Sequence, residues 1–581
     1  MPLSRRAVMV TGGLLGGGVL FGTLGVGALV ATYDDLALQR AVLGSSARLL
    51  VQWISLSADG RVTLHTPHTE MGQGTHTGLL QIVLDELDAD PATTRVLQAP
   101  ADPAFNVAKV LEGFMLGDEA DGFMGALAAG AFGRMAWLGQ IQFTGGSSAV
   151  RFTGWRGIRR AAASARMMLV DSAAERLGVP ADRLTTRDGR VHHADSGRSV
   201  GYGELVDAVM GRPLPDTPRF KPAPERRFIG TRHPRIDLPD KVFGQPVYGI
   251  DVAVGQMRHA AVAAPPLVGG TITGVRNLAE VEGRRGVERV IPLADCVAVV
   301  ADNPWRAEQA VRAVTFDHTT PPWASATTAS LFEEMRTKLG DDELLTTVVE
   351  HGDVAGGGAE VVVEGAYEVP YVAHAPMEVM NAACQLDGDI LHVYVGTQNP
   401  LGCRVNVADF LGMERERVEL HPLTMGGGFG RRASMGPDQD HVNAAAQLAV
   451  ATGKPIKLMW SREADIKGCH MRNGCVARIR ATARPDGTIA SWDQRSYGKV
   501  NNPEEAAPHY GLEHLRVRNV DEQQFIPFAY WRSVDASIYP FFIESMVDEL
   551  AEAAGADPLQ TRLAMVGSDS REGRVLRAVA E

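Results

Sequence analysis

No CxxC pair occurs in this sequence of 581 residues. The five cysteines, Cys296, Cys384, Cys403, Cys469 and Cys475, are odd in number and irregularly spaced. That pattern gives no basis for a disulfide scaffold, a structural zinc or a cysteine-ligated iron–sulfur cluster. Cys469 and Cys475 are close enough to invite a bridge, but buried thiols are the better reading. Positive charge is also in short supply. Lys and Arg number 57 against 69 Asp and Glu, a formal net charge of −12, which excludes a general nucleic-acid surface. Fixed-period repeats and long low-complexity tracts are absent. With 45% hydrophobic and 22% charged residues, the chain is globular and long enough for several domains.

Charge is missing altogether from Ala7 to Tyr33, a stretch rich in Gly, Ala, Val and Leu that follows Ser4-Arg5-Arg6. A positive start followed by an apolar run is a targeting segment, and the paired arginines mark the twin-arginine variant. Residues 1–33 are therefore expected to be a signal or anchor, and the protein periplasmic. No A-x-A site precedes Tyr33-Asp34-Asp35. The run also exceeds the roughly 20 residues that cross a bilayer, so retention in the cytoplasmic membrane by residues 7–33 is the accompanying expectation.

Short strands are predicted over 41–66, then a helix from Thr75 through Leu79, Leu80, Ile82, Val83 and Leu87 on one apolar face. A second helix is predicted over about 157–178. Five prolines between Pro213 and Pro224 predict a linker and a domain boundary. A compact α/β unit follows, with a strand at Val297–Val300, a helix after Asn303-Pro304 and a strand at Val314–Phe316. Gly356-Gly357-Gly358 reads as a flexible joint. Beyond it come helices at 403–412 and 438–452, an exposed loop at Asn501-Asn502-Pro503 and Pro508, and a last helix over 541–555.

Three loops carry candidate chemistry. In Glu70-Met71-Gly72-Gln73-Gly74-Thr75, two glycines allow close backbone approach, and N–H groups at the helix start favour an anion such as phosphate. Gln73 can donate and accept toward a heterocycle. Gly396-Thr397-Gln398-Asn399-Pro400 follows the strand Leu391–Val395, which places an amide at a strand end. Thr424-Met425-Gly426-Gly427-Gly428-Phe429-Gly430-Arg431-Arg432 follows Val418-Glu419-Leu420, where three glycines are costly unless backbone must lie against something. One helix and one strand separate Gln398 from Phe429, which would bring both loops to one edge. Taken singly, the first loop is better read as a plain turn and the glycine loop as a flexible hairpin tip, and the Gly396–Pro400 loop has an Asn-Pro turn as its alternative.

Taken together, these segments resemble the large subunit of the xanthine oxidase family of molybdenum hydroxylases. The resemblance is strongest to the isoquinoline 1-oxidoreductase beta subunit group, which includes membrane-bound bacterial aldehyde dehydrogenases. Thr144-Gly145-Gly146-Ser147-Ser148, Arg235–Lys241, Tyr371–Glu378, Trp531-Arg532-Ser533-Val534 and Glu544–Leu550 support it. It implies an α+β multidomain chain: a molybdopterin-binding region at 41–212 with the MGQG segment, an α/β hammerhead-like domain at 226–325, and a molybdopterin-binding domain at 360–581. It also implies hydroxylation of an aldehyde or N-heteroaromatic substrate with water. The cofactor would be molybdopterin, in the cytosine dinucleotide form, with molybdenum held by pterin sulfurs and by no protein side chain. A small [2Fe-2S] subunit would carry electrons away, with a separate C-terminal polypeptide and a cytochrome c subunit as further candidate partners.

Residue by residue, the resemblance has Gln398 hydrogen-bond an oxo ligand of the metal, with backbone N–H groups of Gly428 and Phe429, flanked by Gly427 and Gly430, over the same side. Gly72, Gln73, Gly74 and Thr75 would contact the pterin, and Ser147 and Ser148 are further candidates. Arg532 matches an arginine near the substrate, with a structural ion pair as the alternative. Two positions depart from the family. Val379 stands where Pro usually follows Glu378, and Asp535 stands where Gly is usual; a carboxylate there would partly neutralise Arg532. The Gly-Glu-Pro-Gly-like segment that bears the family's general-base glutamate is not found in the chain. Loss of such a base costs about 10²–10⁴-fold. The expectation is a base supplied by a second polypeptide, and the rival is a non-catalytic remnant that binds only cofactor or partner.

Overall fold

The structure is a computed structural model that describes residues 35–44, 48–116, 123–215, 217–355, 361–433, 439–500 and 503–581. The Arg5-Arg6 segment, Gly356-Gly357-Gly358 and Asn501-Asn502 lie outside the described residues. Among the described residues no helix is long and apolar enough to cross a membrane.

The N-terminal layer is a sheet of β1 (Leu49–Val51), β2 (Ile54–Leu56), β3 (Val62–Thr66) and β4 (Arg95–Gln98), in that order. The helix Thr75–Leu87 packs with Arg159–Leu177 over one shared apolar core with β1–β3. The second of these helices is entered through a π-helical stretch, Ala149–Ile158, which follows the Thr144–Ser148 loop directly. A hairpin sheet of β5 (Leu184–Arg187), β6 (Arg190–His193) and β7 (Arg198–Gly201) closes the layer.

The proline-rich segment does not behave as a free linker. Asp85 and Glu86, buried at the end of the helix that starts at Thr75, accept from its backbone. Lys221 N donates to Glu86 Oε2 at 3.0 Å, and Arg227, Phe228 and Ile229 N donate to the Asp85 carboxylate at 2.7, 3.0 and 2.7 Å. Prolines lack N–H groups, so the donors between and after them are the ones free to be captured.

The middle of the chain forms β8 (Arg258–Ala263), β9 (Ile272–Val275), β10 (Val287–Pro292), β11 (Val297–Ala301) and β12 (Phe316–His318). The second half adds β13 (Thr346–His351), β14 (Val361–Val369), β15 (Asn381–Asp387), β16 (Ile390–Val395), β17 (Val418–Pro422), β18 (Ile456–Met459), β19 (Cys475–Ala483), β20 (Ile489–Tyr497) and β21 (Leu515–Val520). A seven-stranded sheet runs β10-β11-β8-β18-β15-β16-β17. The unit predicted to be separate at 226–325 is thus joined to the second half through the parallel pair β8–β18.

Alternation explains the sheet's faces. In β16, Leu391, Val393 and Val395 are buried while His392 and Tyr394 look outward; in β17, Val418 and Leu420 are buried while Glu419 and His421 look outward. The inward set packs on the helices Pro400–Leu411 and Asp440–Thr452, each buried Leu or Val contributing about 1.5–3 kcal/mol. A five-stranded sheet, β13-β21-β20-β19-β14, packs against Tyr539–Ala553 through Phe542, Ile543, Met546 and Leu550. That helix is not the last; Pro558–Val566 and Arg571–Ala580 follow it. Pro508, expected in an exposed loop, is buried. All five cysteines are buried thiols.

Candidate functional site

β16 and β17 are parallel neighbours joined through the helix Pro400–Leu411. Their carboxyl ends therefore open onto the same edge, where ligand crevices form in such sheets. Gln398 follows β16 and the glycine loop follows β17. The two meet there: Gln398 Oε1 accepts from Gly430 N at 3.0 Å. Its Nε2 donates to Thr144 O at 3.0 Å, and Thr144 N donates to Gln398 O at 2.6 Å. These bonds tie the Thr144–Ser148 loop to the same place. The side chain is only 4% exposed, yet its amide has a second N–H beyond the one given to Thr144.

The N–H groups of Gly427, Gly428 and Phe429 have no acceptor among the described residues. Gly427 and Gly428 are buried, and Phe429 is exposed at a left-handed φ of 55°. Consecutive N–H groups without partners are the donor set of an anion- or oxygen-binding concavity. Gly430 has φ 107°, and a Cβ there would stand 1.7 Å from the Tyr530 carbonyl oxygen. Glycine is what lets the loop touch the 530–531 backbone. Gly430→Ala is expected to cost roughly 2–3 kcal/mol and to break the Gln398–Gly430 bond. Gly146→Ala, which adds a Cβ into open space, should leave stability within about 0.5 kcal/mol. Urea unfolding of the two variants checks this, and equal stability would refute it.

The Glu70–Thr75 loop adjoins the glycine loop through Met425 N, which donates to Glu70 O at 3.2 Å. The helix start is not vacant as the sequence suggests. The Glu70 carboxylate accepts from Gly72 N, Gly74 N and His76 N at 2.9, 3.0 and 3.2 Å and faces Arg235 at 3.3 Å. An acid of the chain itself thus occupies the positive helix end. Gln73 is likewise engaged, accepting from Met71 N at 2.7 Å and donating to Thr69 O at 3.0 Å. Gly72 and Gln73 are nonetheless exposed, and nothing stands within 4 Å of a Cβ at Gly72, Gly74 or Gly146. Ser147 is exposed, and the Ser148 hydroxyl donates to the Gly145 carbonyl.

Glu378, a motif residue whose role the sequence leaves open, underpins the glycine loop. Its carboxylate accepts from Gly426 N at 2.8 Å, Ile250 N at 3.2 Å and Asn381 Nδ2 at 3.0 Å, and pairs with Arg432 at 3.3 Å. The expected pairing of Arg532 with Asp535 does not form. Arg532 is exposed, whereas Asp535 is 2% exposed and its charge acts on the buried Cys475 and Tyr539. Ser533 and Val534, both left-handed at φ 72° and 52°, turn the chain between them so that the two side chains face apart. Left-handed Val534 is a genuine outlier for a β-branched residue, and such strain gathers at functional sites.

The comparisons with known proteins match these loops. Residues 340–521, which include Glu378, Gln398 and the glycine loop, match the family described as a molybdopterin cofactor-binding domain. Residues 23–106, which include Glu70–Thr75, match a second family of the same description. The beta subunit of isoquinoline 1-oxidoreductase from Brevundimonas diminuta is 29% identical, with 100% of this chain and 77% of that protein covered. The chain carries two molybdopterin cofactor-binding domains and is similar to the molybdopterin-binding large subunits of the xanthine oxidase family.

Other relatives are similar over less of their length. A nicotinate dehydrogenase subunit from Pseudomonas putida is 29% identical over 92% of this chain and 44% of its own length. The crystal structure of quinoline 2-oxidoreductase from Pseudomonas putida 86 aligns with a TM-score of 0.48 at 19% identity, over 59% of this chain and 50% of that one. The chain thus spans about half the length of that structure. The donor set fits a molybdopterin cofactor, which both matched domains are described as binding: acceptor-free backbone N–H groups at Gly427–Phe429, a spare amide N–H on Gln398, and open glycine backbone at Gly72, Gly74 and Gly146.

Proposed function

We propose that this subunit holds a molybdopterin cofactor, in its cytosine dinucleotide form, across the crevice at the carboxyl ends of β16 and β17. There it would oxidise aldehydes or N-heteroaromatic compounds with water as the oxygen source. The observation that carries this reading is the run of acceptor-free N–H groups at Gly427, Gly428 and Phe429 beside the buried amide of Gln398. The bound cofactor supplies two-electron oxidation and oxygen transfer.

The chain's own residues supply position and electrostatics. Gln398 is locked by Gly430 and Thr144, so its remaining N–H is fixed before any ligand arrives. A fixed donor stabilises developing oxygen charge without reorganising. Gly72, Gly74, Gly146 and Ser147 offer backbone that a pterin can lie against, and Thr75 stands at the helix start behind them. The exposed Phe429 ring would cover a planar substrate and shed water from it. Arg532 offers a cation, undiminished by Asp535, that would orient the substrate. None of Glu70, Glu378 or Asp535 serves as the general base: the first two are held by several donors, and the third is buried against Cys475 and Tyr539. Electrons would pass to a small [2Fe-2S] subunit. The isoquinoline and nicotinate relatives are each named as one subunit of a larger enzyme, which supports a multi-subunit assembly.

The test is molybdenum and pterin analysis of the full chain purified with its partner subunits, followed by aldehyde and isoquinoline oxidation assays. Stoichiometric molybdenum and pterin are expected, with turnover on one substrate class. Gln398→Leu should lower turnover by about 10²-fold, as loss of a preorganised donor does. A metal-free, pterin-free wild type, or full turnover in the variant, would overturn the reading.

A further inference from the structure

The sequence shows no cluster with metal-ligand spacing, but the parallel register of β16 and β17 assembles one on the outward face of the sheet. His392 lies opposite Glu419, and Tyr394 lies opposite His421. His392 Nδ1 and His421 Nε2 are 3.1 Å apart. Glu419 places Oε2 3.4 Å from His392 Nδ1 and Oε1 3.7 Å from His421 Nε2. A single N–H···N bond accounts for the first distance. The other two are longer than the usual N–H···O bond, so the carboxylate converges on the imidazoles without bonding either closely. The two imidazole nitrogens and the two carboxylate oxygens approach one another at 3.1–3.7 Å, and one ligand atom from each of the three residues lies within 4.8 Å of the others, close to the face of a tetrahedral zinc site. Ligands at about 2.0–2.2 Å from zinc stand about 3.3 Å from one another.

We propose that His392, Glu419 and His421 form a zinc site that clamps the terminal strand β17 to β16. The donor set is two imidazoles and one carboxylate. That set suits Zn²⁺, not Ca²⁺ or Mg²⁺, which require oxygen ligands. One carboxylate and two neutral rings also balance part of the ion's charge. Tyr394 stacks on the His421 ring with centroids 4.4 Å apart and planes at 11°, which fixes the ligand's orientation. The fourth position opens outward, since the ligand side chains are 23%, 58% and 34% exposed for His392, Glu419 and His421; water completes the set.

The location gives the clamp a consequence. β16 leads straight into Gln398, and β17 leads straight into the glycine loop. A bond between the two strands therefore restrains the two loops against each other. This inference is independent of the cofactor reading, because it concerns the strands and not the loops.

The test uses the untagged full chain, freed of loosely bound metal with a chelator and dialysed against Zn²⁺. The expected result is one tightly bound zinc that His392→Gln with His421→Gln abolishes, and a Zn²⁺-dependent rise in Tm seen only in the wild type. Glu419→Gln should weaken binding by at least the about 10–100-fold that loss of an outer-shell partner costs. Co²⁺ in place of Zn²⁺ should give the intense visible bands of a four-coordinate site in the wild type alone. Far-UV circular dichroism of the double variant checks that it folds. Equal zinc uptake by wild type and folded double variant, or no Zn²⁺-dependent change in wild-type Tm, would overturn the proposal.

Discussion

Arg432→Met is expected to destabilise the protein by about 3–5 kcal/mol, the cost of leaving a buried charge without its partner. Arg432 is 1% exposed and Glu378 is 7% exposed. Burial pushes the guanidinium below its ordinary pKa, and the Glu378 carboxylate 3.3 Å away pulls the other way. The guanidinium also donates to Gly396 O at 3.2 Å, Glu378 O at 2.9 Å and Val379 O at 3.1 Å. Methionine fills similar volume but satisfies none of these acceptors. The damage should reach the candidate site, because Glu378 holds Gly426 at the base of the glycine loop and the Arg432 carbonyl accepts from Gln398 N at 2.8 Å. Urea unfolding of Arg432→Met, Glu378→Gln and the double variant measures the pair. The double variant should recover a substantial part of the single loss. A coupling energy below about 0.5 kcal/mol, the scatter expected for independent sites, would show that the two do not act as a pair.

The parts of this site legible in the sequence are those with local signatures. Alternation in Leu391–Val395 and Val418–Leu420 marks two strands, and the interval between Gln398 and Phe429 holds one helix and one strand, which makes a parallel crossover and brings the two loops to one edge. The helix from Thr75 is legible for the same reason, its apolar residues falling on one face. Two other helices leave weaker signatures. Phe123–Leu138 is apolar nearly all round, so periodicity does not mark a face, and Arg571–Ala580 is short, with its apolar side reduced to Val575, Leu576 and Val579.

Long-range partners leave no local signature at all. Nothing in the sequence ties Glu378 to Arg432, or Asp85 and Glu86 to the backbone beyond Lys221. The Glu70 carboxylate was legible as a cap at most, whereas it occupies the helix end that an external anion would seek. The Arg532–Asp535 expectation failed on backbone conformation, since a short sequence interval brings side chains together only where the chain between them is not turned by left-handed residues. The His392, Glu419 and His421 cluster had one usable signal: outward positions on two strands expected to run parallel. Only the register decides whether those positions coincide.

Lowering the pH from 7.5 to 5 is expected to remove more stability than any single substitution above. Burial holds four histidines in the neutral form. His68 is pushed down to about 3, with His76 adding to the effect, and His374, His441 and His470 are pushed down to about 4. In the unfolded chain each takes up a proton near pH 6.5. Folded pKa values lie below unfolded ones, so the unfolded state binds more protons between pH 6.5 and 4, and stability falls as pH falls through that window. Each histidine contributes at most about 1.4 kcal/mol per pH unit, or about 2 kcal/mol between pH 7.5 and 5, and four together approach about 8, comparable with the 5–15 kcal/mol that separates folded from unfolded domains. Carboxylates enter only lower, so the onset near pH 6 belongs to the histidines.

His68 offers the cleanest check. It is fully buried, and neither ring nitrogen has a hydrogen-bond partner among the described residues. His68→Leu removes a titrating group and an unsatisfied polar ring while keeping apolar volume. At pH 7.5 the variant should be as stable as the wild type or more so, and at pH 5 more stable by a further about 2 kcal/mol. Urea midpoints across pH 7.5 to 5 should show a shallower slope in the variant by one proton's worth. An unchanged slope would mean that His68 is not neutral in the folded state.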